Sequence, residues 1–167
     1  MVAFVLSAAL ALLAHTASHA PGHGRLPMRG VVIPGVSLAG VRIGDTEQRV
    51  RRLWGMNYVP CKYCSDATWL FEYQNGEPLG AAARFQKGRV VAVFSLGSPA
   101  GWHTDKGLYI GDPISNVYQF FAQTGTTRCI GFDAITMRHG HVVTAIYSSA
   151  GVVYGFALVT PAMTVCQ

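Results

Sequence analysis

Apolar and polar positions along the chain fall into blocks whose period switches between that of a helix and that of a strand. Ile114, Val117, Tyr118 and Phe121 recur at i, i+3, i+4 and i+7, which is one face of a 3.6-residue period. A thinner stripe of Val50, Leu53 and Trp54 is interleaved with Arg49, Arg51 and Arg52. Both stretches predict short helices of about ten residues, with Gly55 and Gly125 as the expected stops. Elsewhere the period is two. Trp69, Phe71 and Tyr73 alternate with Thr68, Leu70 and Glu72, a strand pattern. Residues 81–97 read as two strands joined at Lys87-Gly88, and residues 133–149 as two more turning near His139-Gly140. A last strand is expected over residues 151–160, with Tyr154, Phe156 and Leu158 on one face.

One phrase occurs twice. GVRIGDTEQRV starts at Gly40, and GLYIGDPISNV starts 67 residues later at Gly107. Gly44 and Gly111 suit a tight turn that needs positive φ. Asp45 and Asp112 are the expected helix N-caps, accepting from the orphan amides of the first turn, and Pro113 suits the first helical position. Each phrase is followed by a helix and then by strands. Lys87-Gly88-Arg89-Val90-Val91 parallels His139-Gly140-His141-Val142-Val143. The expected fold class is α+β, as two tandem repeats over 35–102 and 103–167, each a short helix packed on an antiparallel β-meander. A helix on one sheet face would leave the other face exposed.

The N-terminal residues 1–20 have the apolar run and the small residues Ser18 and Ala20 of a secretory signal peptide, although no Lys or Arg precedes the run. The run is too short for a membrane span, so no stable membrane insertion is expected after cleavage. Residues 21–34 form a Gly/Pro-containing leader that carries Arg25 and Arg29. The net charge of +5 is uneven. Arg42, Arg49, Arg51 and Arg52 gather around the first phrase, whereas two basic and two acidic residues cancel from Gly107 onward. No nucleic-acid-binding module is recognisable, so nucleic acid is not an expected partner. Four cysteines, Cys61, Cys64, Cys129 and Cys166, read as two disulfides in an exported chain, with three pairings open.

Candidate chemistry is sparse. Cys61-Lys62-Tyr63-Cys64 has the spacing of a redox dithiol, but Pro60 precedes it and a strand pattern follows, so no helix N-terminus lowers a thiol pKa there. A structural disulfide is the better reading. His139 and His141 straddle a turn and read as a polar hairpin tip, and His103 stands alone. There is no nucleophile elbow, phosphate-cradling loop or metalloprotease helix motif. The chain is therefore expected to be non-catalytic and to need no cofactor or metal. Trp69, Phe71 and Tyr73 are core if they face the helix. On a free sheet face they would be rigid anchors for a partner protein, and Tyr63 and Trp102 are further candidate anchors.

The paired GxxIGD phrases, each before a short helix and a hairpin with K/H-G-x-V-V, resemble the beta-lactamase inhibitory protein family. They are distantly similar to small outer-membrane assembly lipoproteins. The resemblance implies tandem helix-plus-sheet repeats, partner binding through an exposed sheet face, and one disulfide per repeat, Cys61–Cys64 and Cys129–Cys166. The resulting expectation is a secreted or cell-envelope protein-binding module, an enzyme inhibitor among the options. An envelope assembly role and a redox module using Cys61 and Cys64 are the alternatives.

Overall fold

The computed structural model describes residues 26–72, 79–122 and 124–167; the expected signal peptide and residues 21–25 of the leader lie outside them. The chain is α+β, with two helices and a large antiparallel sheet among the described residues. Two short strands, β1 (Val31–Ile33) and β2 (Ser37–Leu38), precede helix α1 (Glu47–Trp54). Then come β3 (Tyr58–Pro60), β4 (Ala67–Phe71), β5 (Gly80–Gln86) and β6 (Arg89–Leu96). After β7 (His103–Thr104) and helix α2 (Ser115–Phe120) the chain forms β8 (Gly125–Arg128), β9 (Asp133–His139), β10 (Val142–Ser149) and β11 (Val152–Val159). The main sheet has the order β3-β4-β5-β6-β11-β10-β9-β8, and β2, β1 and β7 form a small second sheet. Two four-stranded meanders thus meet edge to edge at β6 and β11.

The seam is tight. Gly155 of β11 pairs with Leu96 of β6, and a Cβ on Gly155 would collide with the Ser95 carbonyl oxygen. That neighbour is backbone in the middle of the sheet and cannot swing aside. Gly155→Ala is expected to cost about 1–3 kcal/mol through overpacking. Chemical denaturation of the variant measures it, and an unchanged midpoint would mean that the seam has slack.

Each GD phrase closes the same loop. Gly44 N–H donates to Val90 O and Val90 N–H to Asp45 O, at 2.8 and 2.9 Å. Gly111 N–H donates to Val153 O and Val153 N–H to Asp112 O, both at 2.8 Å. Gly44 and Gly111 have φ of 88° and 95°, which glycine adopts without strain. The aspartates do not cap the helices. Asp45 Oδ2 accepts from Arg42 N–H at 2.9 Å and Asp112 Oδ2 from Tyr109 N–H at 2.8 Å, so each carboxylate ties its own turn from within. Thr46 is the N-cap of α1, with its hydroxyl accepting from Arg49 N–H. Helix α2 starts after Ile114 and has no side-chain cap. Gly55 ends α1 as expected, but Gly125 opens β8 instead of ending α2, which closes at Phe121.

The hairpins correct the expected pairing of phrases. The turn beside the first GD loop is Lys87-Gly88; the turn beside the second is Ala150-Gly151, not His139-Gly140. Lys87 and Gly88 have φ of 50° and 71°, and Ala150 and Gly151 of 51° and 80°. Each is followed by a break in register. Phe85 pairs with Val90 and Arg84 with Ala92, which leaves Val91 unmatched; Ser148 pairs with Val153 and Tyr147 with Gly155, which leaves Tyr154 unmatched. The extra residue reverses which way the strand's side chains point. Tyr154 therefore packs on the opposite sheet face from Phe156 and Leu158, contrary to the simple alternation.

The core lies between the helices with the small sheet and one face of the main sheet. Val50 and Trp54 of α1, Val117 and Phe121 around α2, and Val32 and Leu38 of the small sheet bury against Phe71, Phe85, Ile146, Phe156 and Leu158. Tyr118 on the predicted apolar stripe is instead exposed. The opposite face is not free. Ala82, Phe94, Leu96, Ala145, Tyr147 and Val159 form a second buried cluster, with Met163 and Val165 of the C-terminal segment packed against it. Tyr147 Oη donates to Val165 O at 2.7 Å, and Cys166 is bonded to Cys129 beyond β8. The tail is a strap across this face.

Candidate binding groove at the β8–β9 edge

The expected aromatic anchors are mostly core. Trp69 and Phe71 point toward the helix layer and are buried. Trp69 stacks on Tyr58 at 4.1 Å, Phe71 meets the Trp54 ring edge-on at 5.3 Å, and the Arg51 guanidinium lies 4.6 Å over Trp69. Trp102 is fully enclosed, its indole N–H donating to Pro27 O at 2.7 Å. None of the three is available to a partner. Tyr73 lies outside the described residues. Tyr63 is 98% exposed, at the β3 end of the sheet.

The cysteines pair as Cys61–Cys64 and Cys129–Cys166, and none is free. Cys61 follows β3 and Cys129 follows β8, so each sits just after the outermost strand of a meander. No helix begins at Cys61, and a dithiol there lacks the helix dipole that activates redox thiols.

The two edges of the main sheet differ. At one edge, β3 ends in Pro60, which has no N–H to offer, and the Cys61–Cys64 loop follows at once. Proline and a tight loop blunt an edge. At the other edge β8 is short. It pairs with Asp133 to Thr136 of β9 and goes no further, whereas β9 continues through Met137, Arg138 and His139. Those three pair with Thr144, Val143 and Val142 of β10 on one side and, among the described residues, have no strand on the other. The missing half-strand leaves a groove of about 660 Å³.

The groove is cationic with an apolar floor. Met137 belongs to the main core, and Phe121 lies beside it. Lys106, in the turn after β7, reaches in from the helix layer; its ammonium donates to Phe120 O at 2.7 Å and lies 4.8 Å over the Phe121 ring. Arg138 and His139 are exposed, and neither has a hydrogen-bond or ion-pair partner among the described residues. Among the described residues no carboxylate lines the groove. The nearby Asp133 is already paired with Arg128 at 3.1 Å. Sequence reasoning placed His139 at a hairpin tip, where it is, but missed Lys106 and Arg138. The groove exists because β8 is shorter than β9, and strand length at a sheet edge leaves little trace in the residues themselves. Among the described residues no cluster of His, Cys, Asp and Glu could hold a metal ion, and no helix is long and apolar enough to cross a membrane.

No protein-family model and no curated protein sequence matches the chain. Among solved structures it is similar to an extracellular protein containing a SCP domain from Bacillus anthracis, at 12% identity and a TM-score of 0.50, over 71% of this chain and 44% of that one. It is also similar to a cysteine-rich secretory protein from Staphylococcus aureus, at 12% identity and a TM-score of 0.49, with the same coverage. The chain thus spans less than half the length of either. At the level of fold the likeness is to part of a SCP-domain-containing extracellular protein, and this overturns the resemblance to the beta-lactamase inhibitory protein family.

Proposed function

We propose that this chain is an extracytoplasmic, non-catalytic module that binds another protein through the groove at the β8–β9 edge. The observation that carries the reading is the groove itself, where Lys106, Arg138 and His139 meet with no ion-pair partner among the described residues. Exposed edge backbone is a template for another chain, and soluble proteins otherwise blunt it. Here the β3 edge is blunted, whereas among the described residues β9 runs three residues past its pairing with β8. The expected sheet-face mode of binding has no support, because the C-terminal strap and a buried apolar cluster occupy that face. The secretory N-terminal pattern and the paired cysteines support a location outside the cytoplasm. So does the likeness to a protein described as extracellular. Neither nucleic acid nor a membrane is part of this reading.

We also read the chain as a duplicated unit. The support is the matched GD loops, the matched positive-φ turns and the matched register breaks in β6 and β11. On that reading the second unit departs from the first where β8 fails to cover β9.

Photocrosslinking tests the binding surface. A benzoylphenylalanine placed at Ala122, which is exposed at the groove, is expected to give discrete protein adducts in the producing cells. The same group at Val59, on the blunted edge, is expected to give none. Equal labelling from both edges, or none from the groove, would overturn the assignment.

A further inference from the structure

We infer that one end of the first meander, at the β3–β4 loop and the β5–β6 turn, docks on an anionic phospholipid surface. This surface is separate from the groove and does not depend on it. Three observations carry the inference.

The first is where the strand order places charge. A meander reverses at each turn, so the β3–β4 loop and the β5–β6 turn lie at the same end of the sheet, two strand spacings or roughly 10 Å apart. Gln86 Nε2 donates to Asp66 Oδ1 at 3.3 Å and ties the two together. The first GD loop docks on the same turn: Thr46 bridges Arg89, and Arg89 Nη1 donates to Gly44 O at 3.3 Å. Lys62, Lys87, Arg89, Arg42 and Arg49 thus share one end of the molecule. All five are exposed, and none has an ion-pair partner among the described residues. The carboxylates beside them are engaged: Asp66 with Gln86, Asp45 with the Arg42 N–H and Glu47 with Arg51.

The second is that the fold does not need these charges. The second GD loop makes the same backbone bonds, and Pro113 bridges Val152 as Thr46 bridges Arg89. There Tyr109, Asn116, Ala150 and Val152 stand where the first loop has Arg42, Arg49, Lys87 and Arg89. The same frame is built once from neutral residues and once from cations. Gathering like charges works against the compact state, so the cations point to a ligand and not to folding.

The third is Tyr63. It is 98% exposed, beside Lys62 in the loop closed by Cys61–Cys64. A tyrosine with its ring in water and a polar tip is suited to the headgroup level of a bilayer, where surrounding lysines and arginines meet the lipid phosphates. The cations come from three separate segments on long exposed side chains. That arrangement suits a charged plane better than one compact anion.

Vesicle sedimentation of the exported protein tests this. The probes are vesicles of phosphatidylglycerol mixed with phosphatidylcholine, vesicles of phosphatidylcholine alone, and inorganic polyphosphate. The protein is expected to sediment with the anionic vesicles, less so as salt is raised, and not with the neutral ones. Lys62→Gln combined with Lys87→Gln should weaken binding about 25-fold, or about fivefold per charge removed. Both side chains are exposed, so the fold is kept. Arg42→Gln combined with Arg49→Gln is a second pair with the same expectation. Tyr63→Ser should weaken binding as well. Arg128→Gln, at the opposite end of the sheet, should leave it unchanged.

No sedimentation with the anionic vesicles, equal sedimentation with the neutral ones, or an equal loss from Arg128→Gln would overturn the inference. Binding to polyphosphate as tight as to the vesicles, with Tyr63→Ser silent, would also overturn it and assign the surface to a soluble polyanion.

Discussion

Replacing Trp102 with alanine is expected to destabilise the fold by about 3–5 kcal/mol, the range for emptying a buried tryptophan site. Trp102 is fully buried and lies 5.4 Å from Trp54. A Cβ on Gly30 would come within 2.9 Å of its ring, so the chain passes directly over the indole and cannot collapse further into the space. Trp102→Phe keeps most of the apolar volume but leaves Pro27 O without its donor, an additional cost of about 1–3 kcal/mol if that carbonyl stays dry. Urea unfolding followed by far-UV circular dichroism ranks the parent and the two variants. Trp102→Ala with the parental midpoint would return Trp102 to the surface, where it could be a partner anchor after all.

The second large effect is expected from the Cys129–Cys166 bond. It closes a separation of 37 residues, against 3 for Cys61–Cys64. In the chain-entropy model the long loop is worth about 4 kcal/mol and the short one about 2 kcal/mol. The long bond also holds the strap whose Met163 and Val165 pack on the second sheet face. The paired variant Cys129→Ser with Cys166→Ser should therefore lower the thermal midpoint by about 10 °C for a domain of this size. The pair Cys61→Ser with Cys64→Ser should lower it by roughly half as much. Equal losses from the two pairs would mean that the strap contributes nothing to holding the sheet.

Much of the secondary structure was legible because it repeats locally. The strands of both long hairpins follow from two-residue alternation between glycine turns, and α1 follows from Val50, Leu53, Trp54 and the Gly55 stop. The errors share a cause. Asp45 and Asp112 have the residue type and position of N-caps, yet each side chain turns back to an amide three residues earlier, because the Gly-Asp backbone is held by Val90 or Val153 from a distant strand. Tyr154 was assigned to the wrong face because a register break depends on the partner strand, not on the strand itself. His139-Gly140 looked like the counterpart of Lys87-Gly88, and only the docking of the second GD loop identified Ala150-Gly151 instead.

The groove was the least legible feature. Lys106, Arg138 and His139 are distributed between a turn after β7 and the end of β9, and nothing in their spacing links them. Their meeting depends on β8 stopping opposite Thr136.

By itself the sequence determined the α+β class, the two turn-forming GD phrases, five long strands and the export-type pattern of its N-terminus and cysteines. Those features rest on local periodicity, on glycine's access to positive φ and on the small-residue pattern of a signal peptide, each of which a single stretch of chain carries on its own. The tertiary structure decided the rest. It buried Trp69, Phe71 and Trp102, closed the second sheet face with a disulfide-held strap, and brought Lys106, Arg138 and His139 to one groove. Each of these depends on which distant segments share an edge or a face, and that pairing is settled by packing the whole chain at once.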